Sequence, residues 1–210
     1  MIAASFTAFV VDDDPGVLKA IGRLLTTAGY ATKTFSSSTK FLEEHDESIP
    51  GCAIIDLAMS GLDGLELQKR LLNAGSRRPV VFLTGHGDIA TSVKAIKAGA
   101  VDFLTKPVER HALFSALQRA AEIDSVSRQK HEEMKSIGDR MALLTRRERE
   151  VLRYVIAGRL NKQIAASLGT VEKTIKVHRA RMMAKLGVRC VADLVRLAEK
   201  AGVVPIGEAV

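Results

Sequence analysis

The chain has 210 residues, 47% of them hydrophobic and 26% charged, which is typical of one large or two small globular domains and excludes a disordered chain. Residues 1–122 contain 13 basic and 14 acidic side chains, whereas residues 141–210 contain 14 basic and 6 acidic ones. This asymmetry indicates two domains with different partners, of which the basic one faces a polyanion.

The sequence carries no sign of export or of membrane insertion. A secretory signal carries Lys or Arg before its apolar stretch, and residues 1–11 have neither. No apolar run approaches the roughly 18 residues of a membrane span. We therefore expect a cytoplasmic protein with no membrane partner. Cys52 and Cys190 stand far apart and outside any Cys/His cluster, so we expect two buried thiols and neither a disulfide nor a zinc site.

Short apolar runs alternate with helical patterns over about the first 120 residues. The third and fourth runs lack polar alternation, as strands buried on both faces should. The alternation predicts an α/β fold with a parallel sheet covered by helices on both faces. The predicted strands lie near 6–11, 30–35, 52–56, 79–83 and 101–104, and the predicted helices lie near 16–28, 38–46, 63–74 and 87–98, with a fifth from 109.

The rest of the chain is predicted to be helical. The polar stretch 123–141 reads as a helical linker that continues the fifth helix, with a flexible tether as the alternative. Thr145 and Glu148 form a capping box, and helices follow near 146–157, 162–168, 172–186 and 191–201. We therefore predict three parts: an α/β domain over 1–122, the linker over 123–141, and an all-α four-helix domain over 142–210.

Acidic, hydroxyl and basic side chains follow four of the predicted strands. The first strand ends in three aspartates at 12–14 and the third in Asp56, while Thr84 ends the fourth and Lys106 follows the fifth. Ligands of an open parallel sheet bind at the carboxyl ends of the strands, where the strand order reverses. With a flavodoxin-like strand order, these side chains would surround one pocket.

The pocket predicts phosphoryl-transfer chemistry. Closely spaced carboxylates repel one another unless a divalent cation lies among them, and hard oxygen ligands with room for water suit Mg²⁺. One carboxylate can then act as a nucleophile toward phosphorus. The metal and Lys106 would neutralise charge on the phosphoryl group, and the Thr84 hydroxyl could donate to one of its oxygens.

These residues resemble the receiver domain of two-component response regulators, in the FixJ/NarL family. The resemblance covers about residues 6–122 and rests on the family's spacing of Val-Asp-Asp at 11–13, Asp56, Thr-Gly-His-Gly at 84–87, Phe103 and Lys-Pro at 106–107. It implies a flavodoxin-like (βα)5 receiver in which Asp56 accepts phosphate from the phosphohistidine of a sensor histidine kinase.

The resemblance assigns further residues to the phosphate and the metal. Lys106 would bind the phosphoryl group and would be joined to Pro107 by a cis bond, which proline tolerates. Mg²⁺ would be held by four groups, some of them through water: Asp12, Asp13, Asp56 and the Ala58 carbonyl.

The resemblance also implies a switch and shows one departure. When Thr84 moves to the phosphate, Phe103 can rotate inward and remodel the face built from the fourth helix, fifth strand and fifth helix. The loop after Asp56 usually reads Met-Pro in this family but reads Met59-Ser60 here. Losing the proline could loosen the loop and alter the lifetime of the phosphate, without removing a reacting group.

The predicted helices 162–168 and 172–186 are separated by a turn at 169–171, which is the spacing of a helix-turn-helix. The second helix of such a motif enters the major groove. Three- and four-residue steps predict an inward face at Val171, Ile175, His178, Met182 and Leu186. A second stripe of Lys173, Lys176, Val177 and Ala180, flanked by Arg179, Arg181, Lys185 and Arg189, suits a groove bounded by phosphates.

Residues 142–202 resemble the LuxR-type DNA-binding domain. The resemblance rests on residues 144–152, Gly158, 161–165, Leu168, Val171, Thr174, 177–178 and 185–186. It implies that Lys176, Val177 and Ala180 face base edges and that Asn161, Lys162, Thr174 and Arg181 lie near phosphates. With the cations of the stripe and its flank, the predicted DNA-binding set is Asn161, Lys162, Lys173, Thr174, Lys176, Val177, Ala180, Arg181 and Lys185.

We therefore expect a phosphorylation-dependent transcriptional regulator, not an enzyme. Phosphorylation of Asp56 would favour a homodimer, so that two helix-turn-helix units meet half-sites about one helical turn apart on double-stranded DNA. Activation is the commoner outcome in the family, and RNA polymerase is a further candidate partner.

Three alternatives compete with this interpretation. A degenerate receiver, controlled by expression or by a protein partner, is disfavoured because the acidic site is complete. An aspartate-nucleophile phosphohydrolase typically carries a second Asp two residues after the nucleophile, where this chain has Ala58. A flavin-binding flavodoxin is disfavoured because the aspartates at 12–14 would repel a phosphate at the first loop.

Overall fold

The computed structural model describes residues 6–85 and 99–207, and the chain divides into two compact units, Met1–Arg128 and Gln129–Val210. The first unit contains β1 (Thr7–Val11), α1 (Pro15–Thr27), β2 (Ala31–Phe35), α2 (Ser38–Glu44), β3 (Gly51–Asp56), α3 (Gly64–Asn73), β4 (Val80–Thr84) and β5 (Asp102–Thr105). A long helix, α4 (Arg110–Ala142), begins in the first unit and ends in the second. The helix predicted near 87–98 lies outside the described residues.

The five strands form one parallel sheet in the order β2-β1-β3-β4-β5. This is the predicted flavodoxin-like arrangement, and the prediction of an α/β fold is confirmed. The strand order reverses between β1 and β3, because the chain moves outward from β1 to β2 and then returns to the other side of β1. The carboxyl ends of β1 and β3 therefore flank the crevice where ligands of such sheets bind.

Apolar side chains on the two faces of the sheet fill two separate core clusters. Successive residues of a strand point to opposite faces, so Val10 and Ile54 pack with α1 and α4, whereas Phe9 and Ile55 pack with α2 and α3. Every residue of β1, β3 and β4 is buried. The predicted burial of the central strands on both faces is thus confirmed, and it leaves their polar ends at one edge.

The long helix α4 has 33 residues and includes all of the polar stretch 123–141. Asp124 and Arg128 attach it to the loop before β3. Asp124 Oδ2 accepts hydrogen bonds from the Gly51 N–H at 3.2 Å and from Arg128 Nε at 2.9 Å, and the Arg128 guanidinium donates to three carbonyls of residues 47–49 at 2.9–3.0 Å. No helix in the described part of the chain is both long and apolar enough to cross a membrane.

The second unit is all-α, as predicted. Its helices after α4 are α5 (Arg146–Ile156), α6 (Asn161–Ser167), α7 (Glu172–Leu186) and α8 (Val191–Lys200). The predicted capping box begins α5, because the Thr145 side chain accepts from the Glu148 N–H and the Glu148 carboxylate accepts from the Thr145 N–H. Ile137 of α4 joins a buried cluster to which all four of these helices contribute.

Two expectations about burial are wrong. Val171 is predicted on the inward face but is 64% exposed, because it precedes α7 with an extended backbone and so does not share the helical spacing. Cys190 is predicted to be buried but is exposed. It stands before α8 in the capping position, where Sγ accepts a hydrogen bond from the Asp193 N–H at 3.4 Å.

We expect Arg128→Ala to loosen the loop before β3. The change removes four donated hydrogen bonds and leaves the buried Asp124 carboxylate without its cation. We expect the local stability to fall by about 1.5 kcal/mol, which corresponds to roughly tenfold faster amide exchange at Gly51. Hydrogen exchange of the full chain, read by mass spectrometry over residues 46–52, measures this change.

Lys130→Ala is the matched control, because Lys130 is an exposed residue of the same helix. Its exchange over residues 46–52 should equal that of the wild type. Equal exchange in both variants would show that Arg128 does not hold the loop.

Candidate functional site

Strand pairing brings the predicted polar residues together at one edge of the sheet. The register of β1 on β3 places Asp12 beside Asp56 at the carboxyl ends of the two strands. Thr84 ends β4, and its carbonyl oxygen accepts a 2.7 Å hydrogen bond from the Lys106 N–H, which follows β5. The four strand ends that the sequence singled out therefore lie at the same edge of the sheet.

Three carboxylates form what we call the acidic cluster, made of Asp12, Asp13 and Asp56. One oxygen of each lies within 4.8 Å of the others. Asp12 and Asp56 are buried, whereas Asp13 is exposed. Lys106 bridges the two buried carboxylates, because its Nζ lies 2.6 Å from Asp12 Oδ2 and 3.1 Å from Asp56 Oδ1.

At both Asp12 and Lys106, burial and the ion pair between the two residues shift the pKa in opposite directions. Burial raises the pKa of the Asp12 carboxyl, although its hydrogen bonds with Lys106 and the Asp14 N–H act against the rise. Burial also works to lower the pKa of Lys106, but the carboxylates of Asp12 and Asp56 outweigh it and the pKa is raised. Lys106 therefore remains a cation, and it stabilises carboxylates that would otherwise be costly to bury.

The acidic cluster fits a divalent cation. Three carboxylates and one ammonium leave a formal charge of −2. Asp56 Oδ1 is buried, lies 3.1 Å from the Lys106 ammonium and, among the described residues, accepts no hydrogen bond from any other group. Hard, charged oxygen ligands of this kind suit Mg²⁺. Asp12, Asp13 and Asp56 could therefore hold the ion.

Asp14, the third aspartate of the run, has a different place. Its Oδ1 accepts hydrogen bonds from the Gly16 N–H at 2.7 Å and the Val17 N–H at 3.4 Å. Pro15 occupies the first turn of the helix, where no N–H is needed. The predicted role of Asp14 as the cap of α1 is confirmed.

Asp13 is bound by the loop that follows β3. The Ser60 N–H and the Ser60 hydroxyl both donate to Asp13 Oδ2, at 2.9 Å and 2.7 Å. The backbone hydrogen bond and then the hydroxyl lower the pKa of the Asp13 carboxyl. Ala58, whose carbonyl is a predicted metal ligand, is an exposed residue of the same loop. The sequence pointed to Ser60 only as a missing proline, although a hydroxyl near an acidic cluster is itself a signal.

The predicted switch residues lie on neighbouring strands. Thr84 is buried and pairs with Thr105, while Phe103 pairs with Phe82. Phe103 is partly buried and packs against the cluster that holds α2 and α3. The bond between Lys106 and Pro107 is cis.

The predicted DNA-binding residues lie on α6, on α7 and at their ends. The stripe Lys173, Lys176, Val177 and Ala180 is exposed on α7, and Arg181 and Lys162 are exposed as well. Ile175, Met182 and Leu186 are buried on the opposite side of α7, as predicted, and His178 is partly buried. The separation of α7 into an apolar face and a cationic face is what a helix in the major groove requires.

Three polar residues of the predicted set have partners within the unit. Lys176 pairs with Glu172 at 3.2 Å on the surface of α7, and Asn161 Oδ1 accepts from the Arg179 guanidinium at 2.9 Å. Lys185 donates to the buried Glu148 carboxylate at 2.7 Å. Lys185 is therefore part of the internal contacts of the unit, a pairing that spacing along α7 alone does not reveal.

Comparison with known proteins matches both units to families. Residues 8–118 match the response regulator receiver domain, and residues 142–198 match the bacterial regulatory proteins of the luxR family. The chain belongs to the two-component response regulators.

Several full-length response regulators are similar to this chain. It is 40% identical to the response regulator protein TmoT of Ectopseudomonas mendocina over 91% of this chain and 87% of TmoT. It is 38% identical to the transcriptional regulatory protein FixJ of Azorhizobium caulinodans over 98% of this chain and 97% of FixJ. The chain also matches the solved structure of the response regulator StyR with a TM-score of 0.86 and 43% identity. The match covers 93% of this chain and 99% of StyR.

The pairing of a receiver with a LuxR-type DNA-binding domain implies phosphorylation-dependent regulation of transcription. The same family membership implies a sensor kinase as the partner of the receiver and DNA as the partner of the helix-turn-helix unit. This agrees with the function expected from the sequence.

The environment of Glu148 predicts that the stability of the response regulator's DNA-binding unit depends on pH. Burial works to raise the Glu148 pKa, but Lys185 and Thr145 outweigh it and lower the pKa below its usual 4.5. The group therefore contributes stability that is present above about pH 4.5 and is lost as the pH falls through the folded-state pKa. We expect the difference in unfolding free energy between wild type and Glu148→Gln to be constant near neutral pH and to shrink below about pH 4.5.

Amide exchange of α5, corrected for the intrinsic rate at each pH, measures this difference. Glu199→Gln, at an exposed position of α8, is the matched control and should leave the exchange of α5 at neutral pH close to that of the wild type. A Glu148→Gln difference that stays constant down to about pH 3 would contradict the expectation.

Proposed function

We propose that Asp56 of this response regulator accepts a phosphoryl group from a sensor histidine kinase, and that phosphorylation turns on DNA binding and transcription. The main observation behind this proposal is that Lys106 forms ion pairs with both Asp12 and Asp56. A buried carboxylate therefore lies beside a cation at the carboxyl end of β3. The same chain carries an exposed cationic helix in its second unit.

The chemistry follows from the positions of the side chains. A carboxylate oxygen of Asp56 attacks phosphorus, the bond from phosphorus to the histidine nitrogen of the kinase breaks, and an acyl phosphate forms. The ammonium of Lys106 lies against the attacking carboxylate and neutralises the phosphoryl oxygens as they arrive. Thr84, at the end of β4, donates its hydroxyl to one of those oxygens.

Asp12, Asp13, Asp56 and the Ala58 carbonyl would hold Mg²⁺. When bound, the ion neutralises negative charge on the phosphoryl oxygens and on the carboxylates around them. The protein's own contribution is the arrangement of the acidic cluster around the attacking oxygen.

Phosphorylation then changes the positions of the Thr84 and Phe103 side chains. When Thr84 is drawn to the phosphate, it vacates space that Phe103 can fill by rotating inward. The face that includes β5 and the first part of α4 changes shape and becomes a dimer surface. The third element of this face, the helix predicted near 87–98, lies outside the described residues.

Dimerisation would place two copies of α7 on half-sites of one DNA duplex. Lys176, Val177 and Ala180 face base edges, while the charged and polar groups around them contact phosphates. Those groups are Asn161, Lys162, Lys173, Thr174, Arg181 and Lys185. A phosphate contact by Lys185 has to compete with its ion pair to Glu148.

The remaining parts of the proposal concern organisation and outcome. The receiver occupies 1–122, the linker 123–141 and the DNA-binding domain 142–210. The protein acts in the cytoplasm as an activator, with RNA polymerase as a further partner. The attachment of Asp124 and Arg128 to the loop before β3 supports a linker that begins firmly anchored on the receiver.

The proposal predicts a single phosphoryl group on Asp56. We expect the intact mass of the full chain to rise by one phosphoryl group after incubation with Mg²⁺ and a small phosphodonor. Asp56→Asn removes the attacking oxygen and should gain no mass. The phosphorylated wild type should also approach twice the monomer mass in light scattering. Equal gain in wild type and Asp56→Asn would exclude Asp56 as the acceptor, and an unchanged light-scattering mass would remove the dimer step.

The two kinds of DNA contact should separate in binding experiments. Lys162→Ala should weaken binding to all sequences similarly and reduce the slope of log affinity against log salt by about one. Lys176→Ala should cost about 1–3 kcal/mol on the preferred sequence and relax discrimination there. Selection from random DNA followed by titration at several salt concentrations measures both effects. If the two variants behave alike, the division into base and phosphate contacts is wrong.

A further inference from the structure

Ser60 stands where the family's usual proline would stand, and it binds the exposed member of the acidic cluster. Its N–H and its hydroxyl donate to the same oxygen, Oδ2 of Asp13, at 2.9 Å and 2.7 Å. A proline has neither of these donors. The contact therefore joins the loop after β3 to the loop after β1 in a way that the usual residue could not.

We propose that Ser60 is a positioning residue for the metal site, which holds Asp13 in the orientation that binds the divalent cation. This inference rests on the proposed function and deepens it. A carboxylate has about four acceptor positions, so two donors at Oδ2 leave Asp13 able to bind the ion. Hydrogen bonds to a ligating carboxylate fix its rotamer, and their loss typically costs about 10–100-fold in metal affinity.

The exposed position of Asp13 explains why it needs a partner. Asp12 is held by Lys106 and by the Asp14 N–H, at 2.6 Å and 2.9 Å, and is fully buried. Asp13 is exposed and, among the described residues, receives its hydrogen bonds from Ser60. Without Ser60, Asp13 would sample several rotamers, and ordering it on the ion would reduce the affinity.

The loop itself has other anchors, so the effect of Ser60 on Asp13 can be separated from an effect on the loop. The buried Ser38 hydroxyl donates to the Leu62 carbonyl at 2.8 Å, and the Gly64 N–H donates to the Leu57 carbonyl at 3.1 Å. A Cβ on Gly64 would lie only 2.5 Å from the Asp56 carbonyl oxygen, so the start of α3 packs directly on the backbone of β3. Ser60→Ala should therefore leave the loop in place.

The test is an Mg²⁺ titration of the unphosphorylated full chain, followed by amide NMR signals of the loops after β1 and β3. Ser60→Ala, which loses the hydroxyl and keeps the N–H, should weaken Mg²⁺ binding about 3–10-fold. Ser60→Thr keeps both donors and should restore wild-type affinity. Ser38→Ala is the matched control, because it removes a loop anchor without touching Asp13, and its Mg²⁺ affinity should match the wild type.

A double-mutant cycle distinguishes positioning of Asp13 from a general effect. In an Asp13→Ala background, which has no side-chain oxygen left to accept from Ser60, Ser60→Ala should weaken Mg²⁺ binding no further. Wild-type affinity in Ser60→Ala, equal losses in Ser38→Ala, or an undiminished Ser60 effect on Asp13→Ala would each overturn the proposal.

The proposed function can fail or hold independently of Ser60. If wild-type protein shows no Mg²⁺ binding, the positioning role is overturned, and the intact-mass experiment on Asp56 still decides the phosphoacceptor. If Asp56 takes no phosphoryl group while Ser60→Ala still weakens Mg²⁺ binding, the phosphoacceptor proposal fails and the positioning of Asp13 stands.

Discussion

The ion pair from Lys106 to Asp12 and Asp56 is the interaction on which the receiver site depends. Two buried carboxylates at the ends of adjacent apolar strands repel each other, and burial, together with the charge of Asp56, raises the pKa of Asp12. The Lys106 ammonium lies 2.6 Å and 3.1 Å from these carboxylates and offsets part of their repulsion. The acidic cluster still has a net negative charge. The remaining negative charge of the acidic cluster suits a divalent cation. The strand order of the sheet brings together the ends of β1, β3 and β5, which carry Asp12, Asp56 and Lys106.

The two units use opposite electrostatics, and α4 runs through both. The receiver presents an acidic cluster at the carboxyl ends of its strands, whereas the second unit presents cations on α7 that suit the phosphates of DNA. Asp124 and Arg128 fix the first part of α4 to the receiver, and Ile137 packs the later part into the core of the second unit. A single helix is therefore an integral part of both units, although their charges and partners differ.

Much of this architecture could be predicted, because it depends on local signals. Apolar runs, turn residues and the capping box set the strands and helices, and the strand ends then identified the pocket. Contacts between distant residues could not be predicted in this way. The pairing of Lys185 with Glu148 spans 37 residues, and that of Ser60 with Asp13 spans 47. Val171 was misplaced because its extended backbone lies just outside the helix whose spacing was applied to it.

The central claim is that the chemical state of Asp56 controls DNA binding by the second unit. Its most direct test is to capture genomic DNA fragments with the full chain, in Mg²⁺, with and without a small phosphodonor, in parallel with Asp56→Asn. The account predicts that the phosphodonor enriches a defined set of sequences by about tenfold or more with the wild type and changes nothing with Asp56→Asn. The same enrichment with and without the phosphodonor, or in both proteins, would contradict it.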